Sequence, residues 1–230
     1  LIALSLNAQR QTQFESRAAT VLENDRLELT TLSRGGAFVS LLLKDDSAKM
    51  NPMWNPAALA RMTGEPERFG DSIGHFVCVD GFGPTSKQER EAGLEGHGEA
   101  HRQPWQQISA GRAGNSQKIK WRATLPLTLE LFTREVEIVD GEQVVYVDSE
   151  LENLLAFDRP INWAEHATIG YPFLAPEITV VDASTGQCQT RPHDGRPPHR
   201  LLGGKEFQYP NPPLLTGGKV DMRAVPAKPG

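Results

Sequence analysis

The stretch that decides the fold is Ile119–Val147, IKWRATLPLTLELFTREVEIVDGEQVVYV. Ile119, Trp121, Ala123 and Leu125 occupy every second position, with Lys120, Arg122 and Thr124 between them. Successive side chains of a strand point to opposite faces, so this pattern is a strand with one buried and one wet face. Leu127, Leu129 and Leu131 extend the alternation against Thr128, Glu130 and Phe132. Val136–Val139 follows, then Asp140-Gly141, then Val144–Val147. Asp-Gly between two β-rich runs signals a hairpin, because both residues accept positive φ.

Working outward, Leu27 and Leu29 precede a turn at Ser33-Arg34-Gly35-Gly36, and Phe38–Leu43 continues as a buried strand. Asn24-Asp25 marks another tight turn, and Ile178–Val181 a short strand. Helical periodicity is scarce. Pro56–Met62 fits one short helix with Asn55 as N-cap and Pro56 at its first position, and Ser86–Ala92 fits a single turn. There is no internal repeat and no βαβ alternation. The pattern predicts a mainly β chain, an antiparallel sandwich or barrel with few short helices.

The 230 residues are enough for one large domain, expected over 21–215, with a leader over 1–20 and a loose Gly/Pro/Lys-rich tail over 216–230. Leu1–Gln9 turns abruptly from apolar to polar. It fits either the back end of a signal peptide cut after Ala8, which makes the protein exported to a periplasm or secreted, or a first strand, which leaves it cytoplasmic. The net charge of −5 excludes phosphate-backbone attraction as the main business, so no nucleic-acid partner is expected. No apolar run reaches the roughly 18 residues that span a bilayer, so no membrane partner is expected either. Cys78 and Cys188 are either two buried thiols or one disulfide formed in an oxidising compartment. The 21 glycines and 17 prolines imply many turns.

Three segments carry candidate chemistry. In Gly96-His97-Gly98-Glu99-Ala100-His101, an extended backbone would put His97, Glu99 and His101 on one face, which suits a metal triad, proton transfer or recognition of sugar hydroxyls, against a solvated loop. In Ile161–Phe173, Trp163, Ala167 and Ile169 form an apolar face interrupted by Glu165, while Asn162, Ala164, His166 and Thr168 occupy the other. That second face is either a cleft lining or the setting of a structural histidine. In Gly74–Pro84 an apolar strand enters a Gly-rich loop holding Asp80; it lacks phosphate-loop spacing. Trp105 and Trp163 lie near the histidine segments in sequence, where an indole can stack on a pyranose or fill the core.

These segments, in this order after Arg34-Gly35-Gly36-Ala37, resemble the aldose 1-epimerase or galactose mutarotase-like superfamily. HGEA at 97–100 and EHATIGYPF at 165–173 look closest to a bacterial branch of uncertain substrate. The resemblance covers about Leu32–Leu174. It implies a large antiparallel β-sandwich of the mutarotase (supersandwich) type, a sugar as partner, interconversion of sugar anomers by acid–base ring opening, and no cofactor or metal. By carry-over His166 is the proton donor to the ring oxygen and His97 polarises the sugar. Glu99, His101, Asp80, Trp105, Asn162 and Glu165 are the remaining expected substrate-binding residues. Two departures stand out. Arg90 is the only arginine between Phe76 and Gly96, so the family's sugar-binding arginine has no match. The family's C-terminal catalytic glutamate has none either: after Lys205 the carboxylates are Glu206 and Asp221, outside any strand motif, so the domain is expected to be incomplete at its C-terminus or the chain to be a non-catalytic carbohydrate-binding relative.

Overall fold

The computed structural model describes residues 9–67, 72–196 and 199–225. The chain divides into two compact units, Leu1–Gly170 and Tyr171–Gly230.

In the first unit, strands β1 (Gln9–Phe14), β2 (Arg17–Glu23), β3 (Leu27–Leu32), β4 (Phe38–Leu43) and β5 (His75–Val79) run antiparallel in one sheet. Strands β6 (Gln106–Ala113), β7 (Ser116–Leu125), β8 (Glu130–Val139) and β9 (Val145–Asn153) form a second, four-stranded antiparallel meander. Strand β10 (Trp163–Ala167) then returns to the first sheet and pairs with β5 at its edge. The expected mainly β, antiparallel architecture is observed.

One apolar cluster joins the two sheets, with Leu29, Val77 and Val79 on one side and Trp121, Phe132 and Val136 on the other. A second cluster lies on the far face of the first sheet and includes Ala19, Val39, Phe76 and Cys78. Strand β5 is therefore buried on both faces. That is why HFVCV reads as a continuous apolar run without alternation.

The β7 alternation holds, with Ile119, Trp121, Ala123 and Leu125 turned inward. The leucine row that follows does not. The chain turns over Pro126–Leu129, where Leu127 and Leu129 are half exposed and Leu129 has φ +55°. Glu99 Oε1 holds this turn by accepting from the Leu127 and Thr128 N–H groups at 2.9 and 3.0 Å. The strand resumes at Glu130, and its inward row is Glu130, Phe132, Arg134, Val136 and Ile138. The Asp140-Gly141 hairpin joins β8 to β9, with Gly141 at φ +81° and its N–H donating to Asp25 Oδ1 at 2.7 Å. The buried Asn24 completes a latch between the two turns: its Nδ2 donates to the Glu142 carbonyl at 2.9 Å and its Oδ1 accepts from Leu27 N at 2.7 Å.

Helices α1 (Pro56–Thr63) and α2 (Lys87–Glu91) fall on the two stretches expected, α1 directly behind its expected N-cap Asn55. Asn55 Oδ1 accepts from Ala58 N at 3.0 Å, and Ser86 and Glu89 form a capping box. Among the described residues no helix is long and apolar enough to cross a membrane.

Four expectations need correcting. Residues 9–20 are not a leader; they build β1 and most of β2, paired from Gln9↔Leu22 to Phe14↔Arg17. The signal-peptide segment Leu1–Ala8 lies outside the described residues. Residues 171–215 do not continue one domain but begin the second unit, which contains the short antiparallel pair β11 (Gln187–Gln189) and β12 (Glu206–Gln208). Ile178–Val181 is not a strand: Val180 makes one isolated bridge, to Ala224. The Gly/Pro-rich tail is built into this unit as far as Val225, with Leu214 N–H bonded to Gly218 O at 3.1 Å and Met222 N–H to Pro210 O at 3.0 Å. Residues 226–230 lie outside the described residues.

Gly98 shows how tightly the loop after α2 seats on β5. It bridges Val79, has φ +73°, and a Cβ there would stand 1.8 Å from the Val79 carbonyl oxygen. Gly141 has a similar φ with nothing within 4 Å of its would-be Cβ. Gly98→Ala is expected to lose more than about 3 kcal/mol and Gly141→Ala about 1 kcal/mol, in urea unfolding. Equal losses would mean that backbone strain alone, not the approach to β5, constrains Gly98.

Candidate functional site

Register places the histidines. In the β5–β10 pair, His166 lies opposite Phe76 and Glu165 opposite Val77. Side chains alternate, so His166 projects on the far face with Phe76 and Cys78, while Glu165 projects toward the second sheet with Val77. The His166 ring stacks on Phe76, centroids 4.5 Å apart and planes 13° from parallel.

His97 reaches the same place from a loop. Its φ is +69°, and it is held by reciprocal contacts with Gly83: His97 N–H donates to Gly83 O at 3.2 Å, and Gly83 N–H donates to His97 Nδ1 at 3.3 Å. The His97 ring stands edge-on to His166 at 5.1 Å. His101, buried in the short 3-10 turn Ala100–Arg102, lies 5.2 Å from Phe76 and 6.1 Å from His97. Three imidazoles thus converge on one phenyl ring. Phe82, more than half exposed, borders them at 5.9 Å from His97 and 5.7 Å from His166.

Hydrogen bonds set proton positions. Because His97 Nδ1 accepts from Gly83, the neutral ring carries its proton on Nε2, a donor for a ligand. Burial, then the nearby His166, pulls His97 below its ordinary value, so it is neutral at pH 7. His166 Nδ1 meets Thr168 Oγ1 at 2.8 Å. The Cys78 thiol lies 3.5 Å from His97 Nδ1, and burial, with Glu165 adding to it, pushes that thiol up to about 12. Both cysteines are free thiols in the structure.

The other expected site residues go elsewhere. The segment 96–101 is not an extended strand: positive φ at His97 and Gly98 and the 3-10 turn swing Glu99 away from the imidazoles. Its carboxylate is buried and occupied, by Leu127, Thr128 and Gln103. The metal triad of His97, Glu99 and His101 thereby loses its geometric premise; among the described residues no group of three His, Cys, Asp or Glu side chains is arranged to hold a metal ion. Trp105 is a core residue, 5% exposed, its indole N–H donating to Ala100 O at 3.0 Å. Asp80, at φ +54°, is paired with Arg159, which also holds the fully buried Glu130. Burial and the Asp80 charge push Glu130 up, against a hydrogen bond from Thr128 and the Arg159 charge. Asn162 meets Asp80 through its backbone, with Asp80 N–H donating to Asn162 O at 2.7 Å. Glu206 opens β12, and Asp221 pairs with Arg223 at 2.7 Å, both in the second unit.

Glu165 belongs to an ion pair that spans the two sheets. Arg134, 1% exposed, donates through Nη2 to Glu165 Oε1 and through Nε to Ser149 Oγ at 2.8 Å. Its guanidinium lies 5.2–5.9 Å from the rings of Phe132, Trp105 and Phe38. His75 Nε2 stands 2.8 Å from Glu165 Oε2. Burial alone would raise the Glu165 carboxyl; the His75 hydrogen bond and the Arg134 charge outweigh it and hold it below the usual range. Arg134 was legible as a charge in the inward row of β8, once the preceding turn is placed correctly. Phe82 and Arg159 carried no comparable sequence signal.

No family model matches the chain, and no curated protein is similar enough to be matched. Among solved structures, a galactose mutarotase-like protein from Lactobacillus casei aligns over 88% of this chain and 66% of its own, at a TM-score of 0.55 and 13% identity. The fold is mutarotase-like. A proposed mutarotase from Salmonella typhimurium also aligns, over 57% of this chain and 43% of its own, with TM-score 0.40 and 14% identity. On this mutarotase-like fold the histidine cluster occupies the far face of the six-stranded sheet and the Arg134–Glu165 pair the face toward the second sheet.

Two measurements follow. Removing Glu165 strands a buried guanidinium, whereas removing Arg134 leaves a part-exposed carboxylate that water and His75 still solvate. Glu165→Ala is therefore expected to cost about 3 kcal/mol and Arg134→Met less than about 1 kcal/mol, in urea unfolding; the reverse order would refute the asymmetry. His97 binds its proton less readily folded than unfolded, so below its unfolded value of 6.5 unfolding takes up a proton and stability falls as pH falls. His97→Gln should flatten the loss of stability between pH 7.5 and pH 5.5, compared by unfolding midpoints.

Proposed function

We propose that this chain is a carbohydrate-binding protein of the mutarotase type that interconverts the anomers of a sugar. The observation that carries the reading is the convergence of His97 and His166, 5.1 Å apart, on Phe76. Anomer exchange needs a proton delivered to the ring oxygen and another removed from the anomeric hydroxyl. His166 is the donor to the ring oxygen, its Nδ1 oriented by Thr168. His97, neutral and with its proton on Nε2, hydrogen-bonds a sugar oxygen and polarises it. The exposed Phe82 ring offers a flat apolar surface for the C–H face of a pyranose.

A second reading, carbohydrate binding without catalysis, is favoured by the state of the carboxylates. Glu99, Asp80 and Glu165 are each engaged by N–H donors or guanidinium groups. None of the three opposes His166 as a free base.

One experiment separates the readings. Interconversion of freshly dissolved α and β anomers of an aldose panel is followed by NMR with the full chain and with His166→Ala. Accelerated exchange that falls by about 100-fold or more in His166→Ala supports the enzyme, a loss typical of removing a general acid. Sugar-dependent thermal stabilisation without acceleration supports the binding protein. Acceleration retained in His166→Ala removes His166 from the donor role, and neither binding nor acceleration by any sugar overturns both readings.

A further inference from the structure

The second unit holds a cavity of about 620 Å³ formed entirely within it. The volume lies within the range of roughly 300–1,000 Å³ typical of small-ligand sites. Leu201, Val220 and Met222 supply apolar wall. Arg191, Arg200, His193 and His199 supply the polar groups. The two imidazoles are stacked, centroids 3.9 Å apart and planes 11° from parallel.

The charge balance of this cavity is one-sided. Asp221 lines it but is neutralised by Arg223, which contacts it through Nε at 3.0 Å and Nη2 at 2.7 Å. Asp194, beside His193, is held by Arg196 at 2.7 Å. Arg191 and Arg200 have no ion pair among the described residues. Residues 171–230 carry seven Lys and Arg against five Asp and Glu, in a chain whose net charge is −5. His193 adds a directed donor: its Nδ1 accepts from Gly195 N–H at 2.9 Å, so the neutral ring keeps its proton on Nε2. Its position is set closely, because a Cβ on Gly203 would stand 2.8 Å from His193 N.

We propose that this cavity binds a small organic anion, an apolar or ring-shaped body carrying a phosphate or carboxylate head. The apolar wall takes the body. Arg191 and Arg200, with His193 Nε2–H, take the head through charge-assisted hydrogen bonds. Every residue lining this site belongs to the second unit and none to the histidine cluster of the first.

The test is calorimetric titration of the full chain at pH 7 with phenyl phosphate, benzoate and phenol. Phenol matches the body and lacks the head. Saturable binding of an anion at least about tenfold tighter than phenol is expected, and the tighter of the two anions identifies the head. The Arg191→Gln/Arg200→Gln double variant should weaken that binding by about tenfold or more, and the Lys/Lys variant should largely keep it. Both arginines are exposed, so the unfolding midpoint of either variant should match that of the parent. If the Gln variant does not fold, the His193 and His199 ring-proton signals of the parent must shift with the anion and not with phenol. The proposal is overturned if neither anion saturates, if phenol binds as tightly, if the folded Gln variant binds unchanged, or if those ring signals do not move.

Discussion

Everything at the first unit's site depends on burying both faces of β5. Val77 and Val79 face the second sheet, Phe76 and Cys78 face away, and all four are 1% exposed or less. A strand clamped between two apolar clusters cannot slide along its neighbour without lifting one row out of its core. That constraint is inherited by β10. A slip of one residue against β5 would move His166 toward Arg134 and Glu165 onto Phe76, stranding a carboxylate against apolar rings and a guanidinium against an imidazole. The imidazole cluster and the inter-sheet ion pair are the two consequences of one register.

The division of labour between the faces is electrostatic. Toward the second sheet the polar groups are charged and paired, Arg134 with Glu165 and Arg159 with Asp80 and Glu130, although Arg134 Nη1, Arg159 Nε and Glu130 Oε2 are buried without a hydrogen-bond partner. On the far face the imidazoles of His97, His101 and His166 pack around Phe76. An imidazole can stay neutral, so the cluster itself needs no counter-ion to fold. It retains proton-transfer capacity without the desolvation cost that a buried carboxylate carries.

Legibility in the sequence followed the physics of each element. β7 has one wet face, so its alternation was plain. Asp140-Gly141, Asn55 and Ser86 mark turns and caps through local chemistry that needs no tertiary context. β6 left no trace because all eight residues are exposed, and an edge strand with two wet faces has no apolar period. The leucines at 127 and 129 carried a strand-like alternation into a turn, because Glu99, distant in sequence, supplies the hydrogen bonds that hold it. At the site, His97 and His166 were both picked out, but the face-sharing rule failed for Glu99, since two positive-φ residues bend its segment. Trp105, expected near a sugar, is needed instead to cap the Arg134 guanidinium and fill the core.

Cys78 and His97 stand at the spacing of a nucleophilic thiol and its base, and the apolar surroundings cancel that chemistry. With the thiol pushed up by burial, the thiolate is disfavoured at neutral pH. Alkylating agents and peroxides react through the thiolate, so reaction with either is disfavoured at this sulfur. The sulfur instead acts as a soft neighbour of the imidazole. The thiol thus sits in the histidine cluster as a packing group rather than as a nucleophile.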